Sequence, residues 1–304
     1  MSPDLLTLFD LNSQELQDLL VRARELKALK AQGRLPQPLA GQVWALLFEK
    51  ASTRTRVSFQ VGMAALGGTS LFLTPDQTQL GRGEPLEDTA RVLDAYLDGL
   101  VVRSYAHETI EIMAKWTRIP VINGLSERCH PCQILADMMT ILERRGSFDG
   151  LKAAWVGDGN NVANSWIAAA ARLGFELTLA CPEGYDPDPL WLAQAENLKA
   201  LVKVVRDPYA AVAGAEVIST DVWAGMGQEA EASERSRAFA AFQVNAELLT
   251  TAKNQAFVLH CLPAHRGEEI TDEVLEGPQS AVFAQAENRL YAQMAVLEAL
   301  SSRR

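Results

Sequence analysis

The sequence predicts an α/β protein of two domains, each a parallel β-sheet flanked by helices. Short runs of β-branched and large apolar residues alternate with helical patterns along nearly the whole chain, which is the pattern of repeated βαβ units. This series is interrupted once, near residues 144–150 (RRGSFDG), after the long helical stretch CQILADMMTILERR. A chain of 304 residues is also long enough for two domains of roughly 150 residues.

The elements can be assigned in order. The first domain opens with a helix whose apolar residues lie on one stripe: Leu16, Leu19, Leu20, Ala23 and Leu26. Four strands follow, each before a helical stretch: VWALLF, SLFL, GLVVR and IPVI. The second domain repeats the pattern with LKAAWVGDG, FELTLAC, LVKVV, AEVIST, AFVLHCL and AVF. Helical crossovers between consecutive strands imply parallel pairing. We predict a first domain over 1–145 and a second over 146–285, with the last helix, 286–304, packing back on the first domain.

Charge and composition exclude several classes of protein. Lys and Arg total 28 against 38 Asp and Glu, so the net charge is −10, which disfavours a general role on nucleic acid or on an anionic membrane. No apolar run approaches the ~20 residues of a membrane span, and the opening residues resemble neither a signal peptide nor an Arg-rich transit sequence. We therefore expect a cytoplasmic protein. Its four cysteines are expected to be reduced thiols.

Ligands bind outside the carboxyl ends of the strands in such sheets, so the residues after each strand are the candidates for function. After VWALLF comes EKASTRTR, in which Ser52 or Thr53 is placed to cap the next helix. Unpaired N–H groups at that helix end, together with Arg54, predict a site for a phosphate-sized anion. The alternative is a well-capped helix with solvated arginines. Arg56 faces another side of the helix, where a structural ion pair is expected.

Two further strand ends in the first domain carry polar residues. Arg103 ends GLVVR, from where it can reach the same anion, although a lone arginine there is more often a surface residue. His130 and Gln133 of HPCQ stand at the start of a helix, which favours a neutral imidazole suited to donating a hydrogen bond to a carbonyl oxygen. The alternative for His130 is a helix cap.

The same place carries a Cys-x-x-Cys pattern, Cys129 and Cys132 in CHPC. A helix N-terminus lowers a thiol pKa, and this spacing suits a thiol–disulfide oxidoreductase. That alternative leaves the anion-binding residues of STRTR without a role.

The first strand of the second domain is followed by GDGNNVANS, which imitates a dinucleotide-binding turn. Val162 stands where the fingerprint needs Gly or Ala, and no acidic residue ends the next strand, so no nicotinamide cofactor is expected. The two asparagines at this turn can instead bind a polar substrate, such as a carboxylate, through their amides.

Two later strand ends of the second domain carry Asp221, after AEVIST, and Cys261, after AFVLH. A lone Asp at such a place is usually a helix cap. For Cys261 there are two interpretations, a buried thiol and a covalent nucleophile. His260 and His265 have no further ligand set nearby in sequence, so no metal site is predicted.

Considered jointly, these strand ends supply complementary chemistry. The first domain offers an anion site with a carbonyl-directed His and Gln. The second offers Asn161, Asp221 and a thiol, which suit a small zwitterion bearing a carboxylate and an amine. The inferred reaction is transfer of an acyl-like group from a phosphorylated carrier to an amine across the interdomain cleft.

The segments STRTR, HPCQ and HCLP, in this order on two α/β domains, resemble the carbamoyltransferases. With GDGNN, DVWAGMGQE, PAHRGEEITDEV and AENR, the chain is similar to the ornithine members of the aspartate/ornithine carbamoyltransferase family from end to end. The resemblance implies transfer of a carbamoyl group from carbamoyl phosphate to L-ornithine, giving L-citrulline and phosphate in arginine biosynthesis. It also implies no metal or organic cofactor, and a homotrimer or an assembly of trimers with active sites at subunit interfaces.

The resemblance also assigns residues to roles. It implies stabilisation of the reacting carbonyl oxygen by Arg103, His130 and Thr55, with Cys261 and Asp221 acting at the amine. Gln79, in the loop DQTQLGRGEP, is expected to serve a neighbouring subunit. The carbamoyl phosphate-binding residues would be Ser52, Thr53, Arg54, Thr55, Gln79, Arg103, His130, Gln133, Cys261, Leu262 and Arg289, and the ornithine-binding residues Asn161, Asp221, Gly225 and Met226.

One position departs from the family pattern. The ornithine motif is Asp-x-x-x-Ser-Met-Gly, and here Gly225 stands where the serine belongs. Loss of that hydroxyl predicts weaker binding of ornithine, and another amine, such as putrescine or acetylornithine, is an alternative acceptor. A non-catalytic amino-acid-binding homologue is a further alternative. Aspartate is a poor acceptor, because Asp221 stands where a dicarboxylate would need a cation.

Overall fold

The structure is a computed structural model that describes residues 2–225 and 231–302. The chain forms two compact units. The first unit comprises Met1–Met139 and Asn288–Arg304, and the second comprises Thr140–Glu287. Each unit is built on a parallel sheet with helices between consecutive strands, so the predicted fold class is confirmed.

The first unit has four strands in the order β2-β1-β3-β4, all parallel. Its strands are β1 (Val43–Phe48), β2 (Thr69–Leu73), β3 (Gly99–Arg103) and β4 (Val121–Leu125). Its helices are α1 (Ser13–Ala31), α2 (Thr53–Ala65), α3 (Leu86–Tyr96), α4 (His107–Trp116) and most of α5 (Pro131–Arg145). Five of the six residues of β1 are buried, because the central strands of a parallel sheet are covered on both faces.

The second unit has five parallel strands in the order β7-β6-β5-β8-β9. Its strands are β5 (Lys152–Val156), β6 (Glu176–Ala180), β7 (Val202–Val205), β8 (Val217–Thr220) and β9 (Phe257–His260). Its helices are α6 (Asn161–Leu173), α7 (Pro189–Asn197), α8 (Pro208–Val212), α9 (Ala232–Phe239), α10 (Ala246–Leu249) and α11 (Asp272–Leu275). The sheet residues and these helices enclose a core of aliphatic and aromatic side chains.

The last helix, α12 (Val282–Ser301), packs on the first unit as predicted. Glu298 accepts hydrogen bonds from the Arg22 guanidinium at 2.6 and 2.9 Å, and Asn288 Oδ1 accepts one from Lys27 Nζ at 2.7 Å. At Gly62 of α2, a Cβ atom would lie only 3.1 Å from the Met294 side chain, so glycine permits the close approach of the two helices.

One predicted strand is wrong. The composition of AVF, residues 281–283, predicts a strand, but Val282 is the first residue of α12. The backbone just before it, at residues 279–281, does bond to Val258 of β9. A short apolar run at a strand-like position and the first turn of a buried helix have the same composition, so periodicity does not separate them.

Strand order reverses once in each sheet, between β1 and β3 in the first unit and between β5 and β8 in the second. Connections leave such a pair of neighbouring strands in opposite directions, which opens a crevice at their carboxyl ends. The residues after β1, β3, β5 and β8 are therefore the ones that each fold brings together. Among the described residues, no helix has both the length and the hydropathy that crossing a membrane requires.

Candidate active site

The N-terminus of α2 follows strand β1 and forms the start of the site in the first unit. Ser52 is the N-cap, and its Oγ accepts a hydrogen bond from the Thr55 N–H at 3.3 Å. Of the two predicted caps, the structure therefore selects Ser52. Thr53 is exposed and Arg54 is half-buried, both within the first turn, where the helix dipole is positive.

Arg56 lies on another side of α2, as predicted, but it does not form the expected ion pair with any described residue. Its guanidinium carbon lies 3.6 Å from the Phe72 ring centroid, and its Nε donates to Gln60 Oε1 at 3.2 Å. All three residues line a cavity of about 620 Å³ that also borders Ser52 and Thr53.

A buried hydrogen-bond network lies beside the α2 N-terminus. Arg289 of α12, only 2 % exposed, donates from Nη2 to Thr55 Oγ1 at 2.7 Å and from Nη1 to Gln133 Oε1. Gln133 donates in turn from Nε2 to Asp137 Oδ1 at 2.9 Å. The structure thus joins three predicted residues from distant parts of the sequence. Asp137 was not predicted, because a single acid inside a helical pattern carries no distinguishing signal.

Arg103 and His130 complete the buried polar group of the first unit. Arg103 ends β3, and His130 stands directly before α5, with its Nε2 3.5 Å from Arg289 Nη1. The pKa of His130 lies well below its usual range. Burial is the main cause, and the positive charges of Arg289, Arg103 and Arg54 act in the same direction. The position of His130 at a helix N-terminus predicts a neutral imidazole, but burial and three nearby cations are the causes in the structure.

Glu49 connects the carboxyl ends of β1 and β3, next to which this site lies. Its Oε2 accepts hydrogen bonds from Ser104 Oγ at 2.6 Å and from the Tyr105 N–H at 2.8 Å, and its own N–H donates to the Arg103 carbonyl at 2.9 Å. The carboxyl ends of β1 and β3 are therefore held in a fixed relation. Glu49 is not among the predicted residues, although an acidic residue directly after a buried strand is a signal that the sequence does contain.

Cys129 and Cys132 have the environment of structural thiols. Both are fully buried and outside any disulfide; Cys129 Sγ donates to the Leu6 carbonyl at 3.4 Å and Cys132 Sγ to the Asn123 carbonyl at 3.3 Å. Burial raises the pKa of both thiols, that of Cys132 to about 12. A redox-active thiol needs a lowered pKa and access to solvent, so this geometry argues against the oxidoreductase alternative.

Asp221 is the centre of the site in the second unit. It follows β8 directly, is buried, and its Oδ2 accepts a hydrogen bond from Asn160 Nδ2 at 2.8 Å. Its Oδ1 accepts from the Cys261 thiol at 3.0 Å and from the Val222 N–H at 2.8 Å. Asp221 is thus a shared acceptor for the ends of β5, β8 and β9, rather than the helix cap that a lone Asp after a strand suggests.

The turn after β5 uses its two asparagines differently. Asn160 is the N-cap of α6, and its Oδ1 accepts from the Val162 and Ala163 N–H groups at 2.9 and 3.1 Å. Asn161, the residue predicted to bind substrate, is the half-buried first residue of the helix. Asn160 was not singled out, because two adjacent asparagines cannot be told apart by sequence. At Gly159 a Cβ atom would lie 2.2 Å from the Pro187 nitrogen, so this turn requires glycine.

His260 and Glu269 form a buried pair beneath the HCLP segment. His260 Nε2 lies 3.0 Å from Glu269 Oε1, and its Nδ1 accepts the Leu262 N–H at 2.9 Å. Leu262 has a φ of +57°, a conformation that is rare for a residue with a side chain. The ligand atoms of Asp221, His260 and Cys261 lie within 4.8 Å of one another. Both ring nitrogens of His260 are already engaged, so these three residues are not an available ligand set for a metal.

A buried ion pair stands beside the same strand ends. Arg235 of α9 donates from Nη1 to Asp158 Oδ2 at 2.9 Å and to the Trp223 carbonyl at 3.0 Å. Its Nε donates to Glu231 Oε2 at 3.0 Å. Burial raises the pKa of Asp158 to about 6, although the charge of Arg235 acts in the opposite direction. The pair was not predicted, since it joins residues far apart in sequence with no shared motif.

The remaining predicted residues are Gln79, Gly225 and Met226. Gln79 is exposed at the start of a short 3-10 helix, Gln79–Arg82, and Gly225 is half-buried four residues after Asp221. Met226 lies outside the residues that the structure describes. The predicted roles of all three therefore remain predictions.

The chemistry of the two sites defines a class of enzyme. Donor groups dominate the site of the first unit, which suits an anion, and a carboxylate centres the site of the second, which suits an amine. That combination is typical of a transferase that moves a group from a phosphorylated donor to an amine acceptor.

Comparison with known proteins names the class. Residues 3–143 match the carbamoyl-P binding domain of aspartate/ornithine carbamoyltransferase, and residues 149–300 match the Asp/Orn binding domain of the same proteins. The ornithine carbamoyltransferase of Syntrophus aciditrophicus is 53% identical over 301 residues, covering 99% of this chain and 100% of that protein. The anabolic ornithine carbamoyltransferase of Pseudomonas aeruginosa is 53% identical over 295 residues, covering 97% of this chain and 96% of its own length.

A solved structure agrees with these relatives. Ornithine carbamoyltransferase from Pyrococcus furiosus superimposes with a TM-score of 0.93 at 49% identity, covering 97% of this chain and 95% of that one. The chain therefore belongs to the aspartate/ornithine carbamoyltransferase family and is a carbamoyl-transferring enzyme.

Proposed function

We propose that the two sites carry out the ornithine carbamoyltransferase reaction. The enzyme transfers the carbamoyl group of carbamoyl phosphate to the side-chain amine of L-ornithine, giving L-citrulline and phosphate. The observation that carries the proposal for individual residues is the buried network of Thr55, Gln133 and Arg289 beside a neutral His130. It concentrates donors at the end of the first sheet, where an anionic carbamoyl donor needs them.

The phosphate end of the donor is assigned to the N-terminus of α2. The N–H groups of its first turn, the hydroxyls of Ser52 and Thr53 and the guanidinium of Arg54 supply the positive potential. Phosphate leaves from a place where its charge is already stabilised, so the mechanism needs no covalent enzyme intermediate.

The carbonyl oxygen of the carbamoyl group is assigned to Arg103, His130 and Thr55. Attack by the amine turns this oxygen into an oxyanion, which buried donors stabilise more than they stabilise the ground state. The lowered pKa of His130 supports this role, because a neutral imidazole can donate one hydrogen bond without adding a fourth positive charge to the site. The carbamoyl amide is assigned to Gln133 Oε1 and, from the family resemblance, to the main-chain carbonyls of Cys261 and Leu262.

The acceptor is assigned to the second unit, with Asn161, Asp221, Gly225 and Met226 orienting ornithine. The network around Asp221 supports this assignment, because the Asn160 amide and the Cys261 thiol hold its carboxylate in one orientation. A fixed carboxylate can bind an ammonium group, and Cys261 acts beside it as a hydrogen-bond donor rather than as a nucleophile.

We assign the working form to a homotrimer, or to several trimers, in which Gln79 completes the site of a neighbouring subunit. Strand β2 is an edge strand of its sheet with Leu71 44% exposed, and α2 exposes Val57 and Val61 beside it. An exposed apolar patch at a sheet edge is typical of a subunit interface. The exposed position of Gln79, in a short 3-10 helix that follows β2 in the chain, agrees with a role toward another subunit.

We place the enzyme in the cytoplasm and in arginine biosynthesis. Its four cysteines are all thiols rather than disulfides, which agrees with a reducing compartment. The Pseudomonas aeruginosa relative named anabolic supports the biosynthetic direction.

The test compares acceptors and, in parallel, restores the missing hydroxyl. Phosphate release and ureido product are measured from carbamoyl phosphate with ornithine, acetylornithine, putrescine, lysine and aspartate, for the wild type and for Gly225→Ser. We expect the wild type to prefer ornithine, and Gly225→Ser to lower the KM for ornithine several-fold, the size of one hydrogen bond. Preference for another amine would make Gly225 a determinant of specificity. No product with any acceptor would favour the amino-acid-binding homologue.

A further inference from the structure

Asp137 is a buried carboxylate next to the carbamoyl phosphate site, and neither the motifs nor the proposed mechanism gives it a role. It lies on α5, one helical turn after Gln133, and is 1% exposed. A carboxylate is costly to bury unless it is hydrogen-bonded, so its partners indicate why it is there. Its Oδ1 accepts from Gln133 Nε2 at 2.9 Å.

This contact decides which end of the Gln133 amide faces the site. A carboxamide has a donor end and an acceptor end that can exchange by rotation of the group. Asp137 Oδ1 accepts from Gln133 Nε2, so Asp137 selects the NH₂ end of Gln133. Arg289 only donates, and it selects the Oε1 end. The two neighbours agree, and the amide has one favourable orientation.

The orientation of the Gln133 amide also affects the position of Arg289. Arg289 binds Gln133 Oε1 through Nη1 and Thr55 Oγ1 through Nη2, the second at 2.7 Å. The position of the guanidinium therefore depends on an acceptor that Asp137 keeps in place. Oε1 has two lone pairs, so it can bind Arg289 and still accept an N–H from a ligand.

We propose that Asp137 is a positioning residue for carbamoyl phosphate: it holds Gln133 Oε1 toward the ligand to accept an N–H of the carbamoyl amide, and it keeps Arg289 on Thr55. If the amide of Gln133 were reversed, its NH₂ group would face both the substrate NH₂ and the guanidinium, and three donors would meet without an acceptor. The inference rests on the proposed function, since it takes carbamoyl phosphate as the ligand.

The first test is Asp137→Asn, which keeps the shape but can present either an acceptor or a donor to Gln133. We expect the Kd for carbamoyl phosphate, measured by calorimetry, and its KM to rise about 10- to 100-fold, the effect of losing one hydrogen bond to a charged group. The KM for ornithine should change by less than about threefold, because its site belongs to the other unit. Glu143→Gln is the matched control: it removes the same charge from an exposed position of the same helix and should leave both constants unchanged.

A double variant separates orientation from a merely structural role. In Gln133→Glu alone, two carboxylates would face each other, and binding should be weaker than in the wild type. In Asp137→Asn with Gln133→Glu, the amide introduced at position 137 can donate to the new carboxylate, whose other oxygen faces Arg289 and the ligand. We expect this double variant to bind carbamoyl phosphate at least about tenfold more tightly than the weaker single variant, a non-additivity typical of direct contacts.

The outcomes separate this inference from the function it rests on. An unchanged Kd and KM for carbamoyl phosphate in Asp137→Asn, whatever its Tm, would overturn the positioning role, as would a double variant no better than the weaker single one. If the wild type binds carbamoyl phosphate but carbamoylates no amine, the proposed reaction fails while the Kd values still decide the role of Asp137. A wild type that does not bind carbamoyl phosphate would overturn both.

Discussion

The sites of the two units occupy equivalent places in their sheets but have opposite chemical character. In the first unit the residues after β1 and β3 belong to a site rich in donors, in which Arg289 reaches Thr55. In the second, the residues after β5 and β8 surround one acceptor, Asp221, which binds Asn160 and Cys261. Strand order thus determines where a ligand binds, while the side chains after each strand determine which charge it carries.

The two sites also differ in what holds them in place. The donor site depends on a helix from the far end of the chain, since Arg289 lies on α12. The acceptor site is held within the second unit by contacts to a single carboxylate. Changes in the first site should therefore act on the reacting group, and changes in the second on the affinity for the acceptor.

The largest effect on activity is expected when a hydrogen-bond donor is removed from the first site. His130→Ala removes a hydrogen bond that forms fully only when the carbonyl oxygen becomes charged, so kcat should fall ~10²–10³-fold while the KM for carbamoyl phosphate changes less. Steady-state kinetics with both substrates measures this. His265→Ala, at an exposed position, is the control and should behave as the wild type. A change in KM alone would contradict the role in stabilising the oxyanion.

A smaller and more selective effect is expected in the second site. Asn160→Asp keeps the oxygen that caps α6, but it replaces the donor to Asp221 Oδ2 with a second carboxylate. We expect the KM for ornithine to rise about tenfold with no change in the KM for carbamoyl phosphate, because repulsion between like charges moves or protonates Asp221.

Asn245→Asp provides the control for this substitution. Asn245 caps another helix of the same unit, and its Oδ1 accepts from the Leu248 N–H at 2.9 Å. The control should leave both KM values unchanged. Equal effects of Asn160→Asp on the two KM values would mean that the two sites are not functionally separate.

The two sites also show which features can be predicted from the sequence and which cannot. The β-strand runs and the helices between them predicted two parallel sheets, because period and turn composition are local properties. The residues of STRTR and HPCQ could be found for the same reason: they follow predicted strands directly. The order of the strands was not predicted, and it is this order that brings the residues after β1 and β3 together.

The residues that were missed share a physical property. Asp137, Glu269 and Asp158 are buried acids whose partners are set by tertiary packing, and their burial has no local pattern in the sequence. The sequence also does not show which of the adjacent residues Asn160 and Asn161 caps α6, because the backbone of the turn decides it. Prediction from sequence thus found polar residues that directly follow a strand more readily than buried acids whose partners lie far away in the sequence.

The smallest expected effect is on the pH dependence of the free energy of unfolding. One buried group in each unit contributes to it, and the two contributions have opposite signs. The folded-state pKa of His130 lies well below the 6.5 of an unperturbed imidazole. Below pH 6.5 the unfolded chain binds a proton that the folded chain does not. The contribution of His130 to the free energy of unfolding is therefore complete above that pH and is lost as pH falls. The pKa of Asp158 is raised from 3.8 to about 6, so the folded chain binds the extra proton between these values. Its contribution is complete below pH 3.8 and is lost as pH rises through about 6.

Urea unfolding at about pH 7.5 and about pH 5.5, conditions chosen to bracket both transitions, tests this difference in the wild type, His130→Asn and Asp158→Asn. On acidification, His130 should destabilise the fold and Asp158 should stabilise it, each by about 1 kcal/mol. His130→Asn should therefore lose less stability than the wild type between the two pH values, and Asp158→Asn should lose more. The pKa of buried His107 is also lowered, but His107 is present in all three proteins, so its effect cancels in the comparison. Shifts of the same sign in both variants would contradict the opposite pH dependences expected when burial favours the neutral form of a base, His130, and of an acid, Asp158.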